Sequence, residues 1–299
     1  MGRSMGVDRM LCGVELATMA SVHRAKIVER LLVQRLLRKS RHILSLWESS
    51  ARDWNQTLHL MTAHAMGAPR NGAAFERLAE MVSYVTCLRE RGHIVRVEAM
   101  LLGSSGLLGR ECFDSQLLGM QNEYDYLARK YELRSMKAGE WDLRGNYPAA
   151  NPVMRIVQFA AIITKEEFSF DRLVGVRSLA EVASLLEIEM GGSYWAEKYG
   201  TKASGGRLGR AKVQMMTINL VIPMMFAYGE VTHNEELKER AMALLEEIPS
   251  EQNSLVARWT GAGVPSTSAY DSQALIELAH LCDEGRCAEC PLAKQLKKA

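Results

Sequence analysis

The hydrophobic positions of this chain recur every three or four residues over most of its length. This is the period of an amphipathic α-helix, and no segment shows the strict alternation that predicts a half-buried strand. The pattern predicts a long first helix over 17–42, in which aliphatic residues are interleaved with basic ones. Further helices are predicted over Ile43–Met66 and Ala73–Arg91, after the caps Asp114, Ser178 and Asn234, and over Ser272–Leu281.

Two of the predicted helices are apolar on nearly every side, and such helices belong in the centre of a protein. The first is Val153–Ile163, preceded by Asn151 and Pro152, which suit the cap and the first position of a helix. The second is Lys212–Tyr228, and we expect it to kink at Pro223 because proline cannot donate a backbone hydrogen bond.

The chain is therefore predicted to be all-α. We expect an irregular multi-helix domain in which helical hairpins surround the two nearly all-apolar central helices. With 299 residues the chain is long enough to bury one large core. We predict a single helical domain over 1–299, with a loose division near residue 140.

Composition and charge change this interpretation little. Hydrophobic residues make up 47% of the chain and charged residues 24%, as in an ordinary soluble protein, and the formal net charge is only +2. The N-terminal sequence lacks the features of a signal peptide, and the apolar run Met215–Tyr228 is shorter than the ~20 residues that a membrane-spanning helix needs. We therefore expect a cytoplasmic protein with no membrane partner.

Polar residues interrupt the first apolar helix. Arg155 and Gln158 are three residues apart and share one face, and Arg144 and Asn146 lie in the loop before them. We expect Arg155 and Gln158 to be buried and hydrogen-bonded to groups in the loop 141–151, because an unpaired buried charge or amide is costly. A polar binding site at a helix N-terminus and an internal hydrogen-bond network both explain this pattern.

Basic residues form two further patterns. Arg207, Arg210 and Lys212 follow a glycine-rich loop and precede a helix, a setting that can hold an anion, although glycine loops between helices are also common without one. The helix over 17–42 is densely basic, but its cations share their arc with Ile27 and Leu31. A solvated, salt-bridged surface is the interpretation we favour for that helix, and nucleic acid is not favoured as a partner.

Cysteine and histidine cluster near the end of the chain, at His280, Cys282, Cys287 and Cys290. Thiolates spaced as in Cys287-x-x-Cys290 can bind one zinc ion, and His280 and Cys282 could complete a tetrahedral site. The spacing is also similar to the iron–sulfur loop of endonuclease III-like glycosylases, but Leu296 stands where their fourth cysteine would be. We favour reduced cysteines and expect no cofactor, with zinc as the alternative.

Several segments together resemble an uncharacterised bacterial family, domain of unknown function 2851. They are RLLRKSRHILSLW at 35–47, EYDYLARKYEL at 123–133, PVMRIVQFA at 152–160, INLVIPMMFAYG at 218–229 and DSQALIELAHLCDEGRCAEC at 271–290. The resemblance implies a helical fold but no established activity. It also implies a longer family protein whose N-terminal region is rich in β pattern, so we expect this chain to correspond to the C-terminal helical part.

The function is not determined by these patterns. We favour a helical scaffold or interaction domain of a cytoplasmic bacterial protein, because no triad, metalloprotease motif or nucleotide fingerprint is found. Its partner would be another protein or a second copy of the chain. Two alternatives stay open. One is a nucleic-acid-processing or other enzyme module using Arg144, Arg155 and Gln158, and the other is a small structural metal site at the C-terminal cysteines.

Overall fold

The computed structural model describes residues 5–109, 114–144, 151–190, 194–199 and 206–296. Nearly all of these residues lie in α-helices or in short connections between them. The helices are α1 (Met5–Thr18), α2 (Ser21–Ser49), α3 (Trp54–Gly67), α4 (Gly72–Met81), α5 (Tyr84–Glu90), α6 (Ile94–Ser105), α7 (Ser115–Tyr131), α8 (Pro152–Ile163), α9 (Phe170–Gly175), α10 (Leu179–Leu186), α11 (Tyr194–Tyr199), α12 (Arg210–Met216), α13 (Ile222–Thr232), α14 (Glu235–Glu246), α15 (Ser254–Thr260), α16 (Ala269–Asp283) and α17 (Pro291–Leu296).

The all-α prediction is confirmed. The described ranges contain no β-strand, and an isolated antiparallel bridge joins Pro249 to Ser268. Many of the predicted caps also form, because an oxygen acceptor at the cap position satisfies backbone N–H groups of the first turn. The side chains of Asp114, Ser178 and Asn234 each accept a hydrogen bond from the first turn of their helices.

The chain divides into two compact units. Unit 1 consists of residues 1–42 and 225–299, and unit 2 consists of residues 43–224. The boundaries fall inside α2 and α13, and neither lies near residue 140, where the sequence suggested a loose division. The two units are therefore formed by long-range contacts rather than by a linker that could be identified in the sequence.

In unit 2, α8 lies in the core and packs against α3 and α6. Asn151 accepts a hydrogen bond from the backbone N–H of Val153 at 2.9 Å, and Pro152 occupies the first helical position as predicted. Apolar side chains on several sides of the helix are buried, including Met154, Ile156, Val157, Phe159, Ile162 and Ile163. The near-complete burial of α8 explains why its sequence lacks a polar face.

The second apolar segment is not one regular helix. Between α12 and α13, residues Thr217–Val221 form a π-helical turn in which the N–H of Ile222 bonds to the carbonyl of Thr217. Pro223 follows at once, and a proline disrupts the regular hydrogen-bond ladder of the preceding turn. The combined helix Arg210–Thr232 is long and apolar enough to cross a membrane by length and composition, but 67% of its most apolar window is buried inside the protein.

In unit 1, α14 and α15 pack against α16. Ser268 and Asp271 form a capping box at the start of α16, so this helix begins before the predicted Ser272. The Cα of Gly13 in α1 lies so close to residue 262 that an added Cβ would stand 2.8 Å from the Cβ of Ala262. Glycine is therefore required at position 13 for this close approach.

Candidate functional site

Two basic side chains, the part-buried Arg155 of α8 and the buried Lys212 of α12, line one cavity of about 360 Å³ in unit 2. The turn 66–71 between α3 and α4 forms another wall, and Phe75, Pro152, Ala211 and Met215 contribute apolar surface. We call this cavity the α8–α12 pocket.

Lys212 is held by the end of α3. Its side chain is inserted so deeply that the residue is only 9% exposed. The ammonium donates to the carbonyl oxygens of Ala65 at 2.6 Å and Met66 at 3.0 Å, with the carbonyl of Ala68 at 3.5 Å. Carbonyls at a helix C-terminus carry partial negative charge and lack intrahelical partners, so a cation is favoured there. Lys212 therefore also has a structural role.

Arg155 and Lys212 each have a lowered pKa. Burial, and then the neighbouring charge of Arg155, lower the pKa of Lys212 to about 7. Burial alone lowers the pKa of Arg155 to about 10. The three carbonyls around Lys212 favour its charged form but carry no full negative charge. Near neutral pH, Arg155 is charged and Lys212 is divided between its charged and neutral forms.

Gln158 links Arg155 to the segment before α12. An Nη atom of Arg155 donates to Oε1 of Gln158 at 2.9 Å, and Nε2 of Gln158 donates to the carbonyl of Gly206 at 2.7 Å. The carbonyl of Arg207 lies at 3.4 Å from the same nitrogen. Gln158 is buried as predicted, and Arg155 is largely covered. Among the described residues, however, Arg155 bonds to Gln158 and Gln158 bonds to the carbonyls of 206–207, and neither side chain bonds to the described part of the loop 141–151.

No carboxylate of the described residues neutralises this pocket. Within the described ranges, neither Arg155 nor Lys212 forms an ion pair with an acidic residue. The sequence supports the same conclusion for the neighbouring segments, because residues 143–165 and 198–229 contain no Asp or Glu at all. These two acid-free runs carry α8 and α12, and they are the sequence signal that could have identified Arg155 and Lys212 as one site.

The other described site residues that the sequence predicted in this region do not line the pocket as Arg155 and Lys212 do. The side chain of Arg144 is 91% exposed and pairs with Asp142, so it does not enter the pocket. Arg207 and Arg210 are exposed, and Arg210 begins α12. Asn146 lies outside the described residues. The structure thus combines one member of the predicted anion site, Lys212, with two members of the predicted polar site.

Sequence analysis did not identify the wall formed by the turn 66–71. Asn71 clamps this turn to the segment before α8, because its side chain donates to the carbonyl of Asp142 at 3.0 Å and accepts from the N–H of Asp142 at 2.8 Å. Arg70 lines the pocket and donates to the carbonyl of Arg144. Nothing in the local sequence indicates these contacts, since they join residues about seventy positions apart.

A second group of buried charges lies in unit 1, where α2 faces α16. Arg38 forms a two-point ion pair with Glu277, whose Oε2 lies 3.0 Å from Nε and 2.8 Å from an Nη of the arginine. Arg35 donates to Oε1 of Gln273 at 3.1 Å and lies 3.8 Å from Glu277. The carboxylate of Glu277 is only 4% exposed, so this pairing is largely shielded from water.

Lys39 and Glu251 extend the same network. Lys39 donates to Oε1 of Gln273 at 2.8 Å, while Nε2 of Gln273 donates to the carboxylate of Glu251. Burial and the nearby arginines lower the pKa of Lys39, and Glu251 and Glu277 act in the opposite direction. We call this group the α2–α16 cluster: Arg35, Arg38, Lys39, Glu251, Gln273 and Glu277. Part of the densely basic helix is thus paired inside the fold.

The C-terminal candidates do not form a closed ligand set. Cys290 is buried, Cys287 is exposed, and His280 and Cys282 are intermediate. No three of these four side chains bring their ligand atoms within 4.8 Å of one another. Burial raises the pKa of Cys290 and so favours its protonated thiol. Zinc binding at these residues stays a prediction.

Comparison with known proteins identifies a family but no characterised relative. No curated protein and no solved structure gives a significant match to the chain. The family described as "Protein of unknown function (DUF2851)" matches residues 4–254. This range begins near the first residue and ends before α16. The expectation that the chain corresponds only to the C-terminal part of the family is therefore not quite right. The match covers most of the sequence, and the chain therefore belongs to this family of proteins of unknown function.

Proposed function

We propose that unit 2 binds a compact anion, a phosphate or carboxylate group of a small molecule, in the α8–α12 pocket. The observation that carries this proposal is the pair Arg155 and Lys212, a part-buried and a buried cation beside one cavity, with no carboxylate near them in the described chain. Arg155 would supply a planar fork of donors and Lys212 a point charge.

Charge balance supports this proposal. Burying a cation without a counter-charge is unfavourable, and the cost is greater when a second cation lies beside it. A bound anion would offset the repulsion between Arg155 and Lys212 and would favour the protonated lysine. Lys212 donates to the main-chain carbonyls of Ala65 and Met66, and its contact with the carbonyl of Ala68 is long at 3.5 Å, so this third donor is the one that an anion would take.

Size supports a small ligand. Pockets for small molecules occupy roughly 300–1,000 Å³, and the α8–α12 pocket, at about 360 Å³, lies at the lower end of that range. A cavity of this size suits one anionic group with a short attached portion. The nucleic-acid alternative would need an open basic surface in addition, and the exposed Arg144, already paired with Asp142, offers little support for it.

The first test is calorimetric titration with sulfate, which keeps its charge through the neutral range where phosphate titrates. We expect saturable binding that is lost in Arg155→Met and in Lys212→Met. Arg210→Met is the matched control, because Arg210 is an exposed cation at the start of the same helix. Equal binding by all four proteins, or no binding by the parent, would refute the proposal. Phosphate and acetate titrations then separate phosphate-bearing from carboxylate-bearing ligands.

Protonation of Lys212 makes binding dependent on pH. Its pKa in the free pocket is lowered to about 7, and the anion prefers the charged lysine. Affinity for sulfate should therefore weaken as pH rises above 7, by up to about tenfold per pH unit. Proton uptake on binding, measured in buffers of different ionisation enthalpy, should appear above pH 7 and disappear in Lys212→Met.

We propose that the protein acts in the cytoplasm of a bacterial cell. The family resemblance and the burial of the Arg210–Thr232 helix support this localisation. Cell fractionation followed by detection of the protein tests it. Recovery in the membrane fraction after a high-salt wash would count against this proposal.

A further inference from the structure

A surface groove of about 1160 Å³ lies in unit 2, distinct from the α8–α12 pocket. It extends along α9 and α10 and the end of α8. Its floor is apolar and is formed by Ile94, Ala161, Val176, Leu185 and Ile188.

The rim of this groove is acidic. Glu167, Asp171, Glu187 and Glu189 line it with exposed carboxylates, and none of the four has an ion-pair partner in the part of the chain that the structure describes. The groove therefore presents an apolar floor between negative charges.

The basic residues of the lining do not neutralise this rim. Lys165 turns its ammonium to the main-chain carbonyls of Ser184 at 2.9 Å, Leu185 at 3.3 Å and Glu187 at 2.7 Å. Arg172 is the other basic residue that lines the groove, and the carboxylates of the lining outnumber these two cations. Lys165 thus supports the end of α10, and the groove keeps a net negative charge.

Apolar surface continues beyond the groove at the start of α6. Ile94, which lines the groove, is 38% exposed, and its neighbour Val95 is 54% exposed. Exposed apolar side chains that cluster beside a groove mark a site of protein association more often than isolated ones do.

We propose that this groove is the docking site for a basic amphipathic helix of a protein partner. The apolar face of that helix would lie on Ile94, Leu185 and Ile188, and its Lys and Arg side chains would reach the carboxylates of the rim. The volume exceeds the roughly 300–1,000 Å³ of small-molecule pockets, which favours a helix over a metabolite. The unmatched negative charge selects a basic partner.

The test uses a fluorescein-labelled peptide of about 14 residues, four helical turns, with leucines on one face and lysines on the other. Fluorescence anisotropy reports its binding to the full chain. A peptide of the same composition in scrambled order, which cannot form an apolar face, is the control ligand. We expect the amphipathic peptide to bind at least about tenfold more tightly than the scrambled one.

Variants locate the binding surface. Glu187→Lys combined with Glu189→Lys reverses the rim charge and should weaken peptide binding by about tenfold or more. The matched control is Glu239→Lys with Glu247→Lys, which changes net charge equally at exposed positions of unit 1 and should have less than about a twofold effect. Ile94→Asp tests the apolar floor through a part-exposed residue and should also weaken binding.

Three outcomes would overturn the proposal. They are equal affinity for the two peptides, equal loss in the groove and control variants, and a dimer of the free protein that the groove variant dissociates. In the last case the occupant would be a second copy of the chain. Circular dichroism of each variant establishes that lost binding does not reflect lost folding.

Discussion

The α2–α16 cluster of unit 1 and the α8–α12 pocket of unit 2 both bury arginine and lysine side chains, but different groups face those charges. In the cluster, Arg35 and Arg38 face the carboxylate of Glu277. In the pocket, Arg155 and Lys212 face an amide, main-chain carbonyls and each other. In the first region two carboxylates lie among three basic residues, whereas in the second no carboxylate of the described chain pairs with the two cations.

This difference separates a structural network from a binding site. A buried ion pair contributes little net stability, yet removing one partner is strongly destabilising because the other charge remains. In an unbalanced pocket, removing a cation relieves repulsion, and this gain offsets part of the cost of the hydrogen bonds that are lost. Substitution should therefore cost less stability in the pocket than in the cluster.

The largest effect is expected at Glu277. Glu277→Ala leaves Arg35 and Arg38 without their carboxylate, and should lower the free energy of unfolding by about 3 kcal/mol. Urea denaturation measures this change. The matched control is Glu284→Ala in the same unit, where an exposed carboxylate pairs with Arg286, and it should leave the midpoint unchanged. A small effect at Glu277 would mean that the cluster is not a closed structural network.

The same substitution made in both regions sharpens the comparison. Arg38→Met should lower the free energy of unfolding by about 2 kcal/mol, because the buried Glu277 loses its two-point partner. Arg155→Met should change the free energy of unfolding by less than about 1 kcal/mol, since the loss of repulsion with Lys212 offsets the loss of the donor to the buried Oε1 of Gln158. Denaturation in the absence of sulfate measures both. A marked loss at Arg155 would indicate a structural role instead.

A third prediction concerns pH. The pKa of Lys212 is about 7 in the folded protein and near 10.5 in the unfolded chain. The unfolded state therefore binds more protons between these values, so this lysine makes stability rise with pH from 7 to about 10 and lowers it as pH falls toward 7. Comparing parent and Lys212→Met isolates this contribution from that of Lys39. Parallel stability curves for the two proteins would contradict the assignment.

The smallest effect is expected at the C-terminal cysteines. Protein purified without chelator should contain well below one equivalent of zinc. An Ellman-type titration of the native protein should modify the exposed Cys287 quickly and Cys290 slowly, because Cys290 is only 5% exposed and its pKa is raised. One equivalent of zinc that disappears in Cys287→Ser would instead support the metal site.

Local patterns predicted the helical class and several helix starts, but not every boundary. The helix α2 continues to Ser49, past the division predicted at Ile43, and the predicted helix Ala73–Arg91 is two helices, α4 and α5. Asn151 and Pro152 begin α8 as expected, since capping and the proline preference depend only on neighbouring residues. Pro223 likewise marks the irregular turn before α13, although its form, a π-helical turn, required the structure. The two units were not predicted, because their boundaries lie inside helices α2 and α13, where local pattern does not change.

The candidate site was predicted only in part. Arg155 and Gln158 were singled out because a polar residue in an apolar helix needs a partner, and Lys212 because it follows a glycine-rich loop and precedes a helix. They were assigned to two separate sites, since the sequence does not indicate that α8 and α12 approach one another. The side chain of Arg144, adjacent in sequence, lies in solvent instead.

The sequence by itself therefore determined the helical class, the caps, the two apolar segments and the absence of acidic residues around Arg155 and Lys212. These properties depend on periodicity and composition, which are local. Only the tertiary structure decided which basic residues were neutralised, because a carboxylate can pair with a cation from any distance along the chain. Glu277 reaches Arg38 across more than two hundred residues, and no acidic residue of the described chain reaches Arg155.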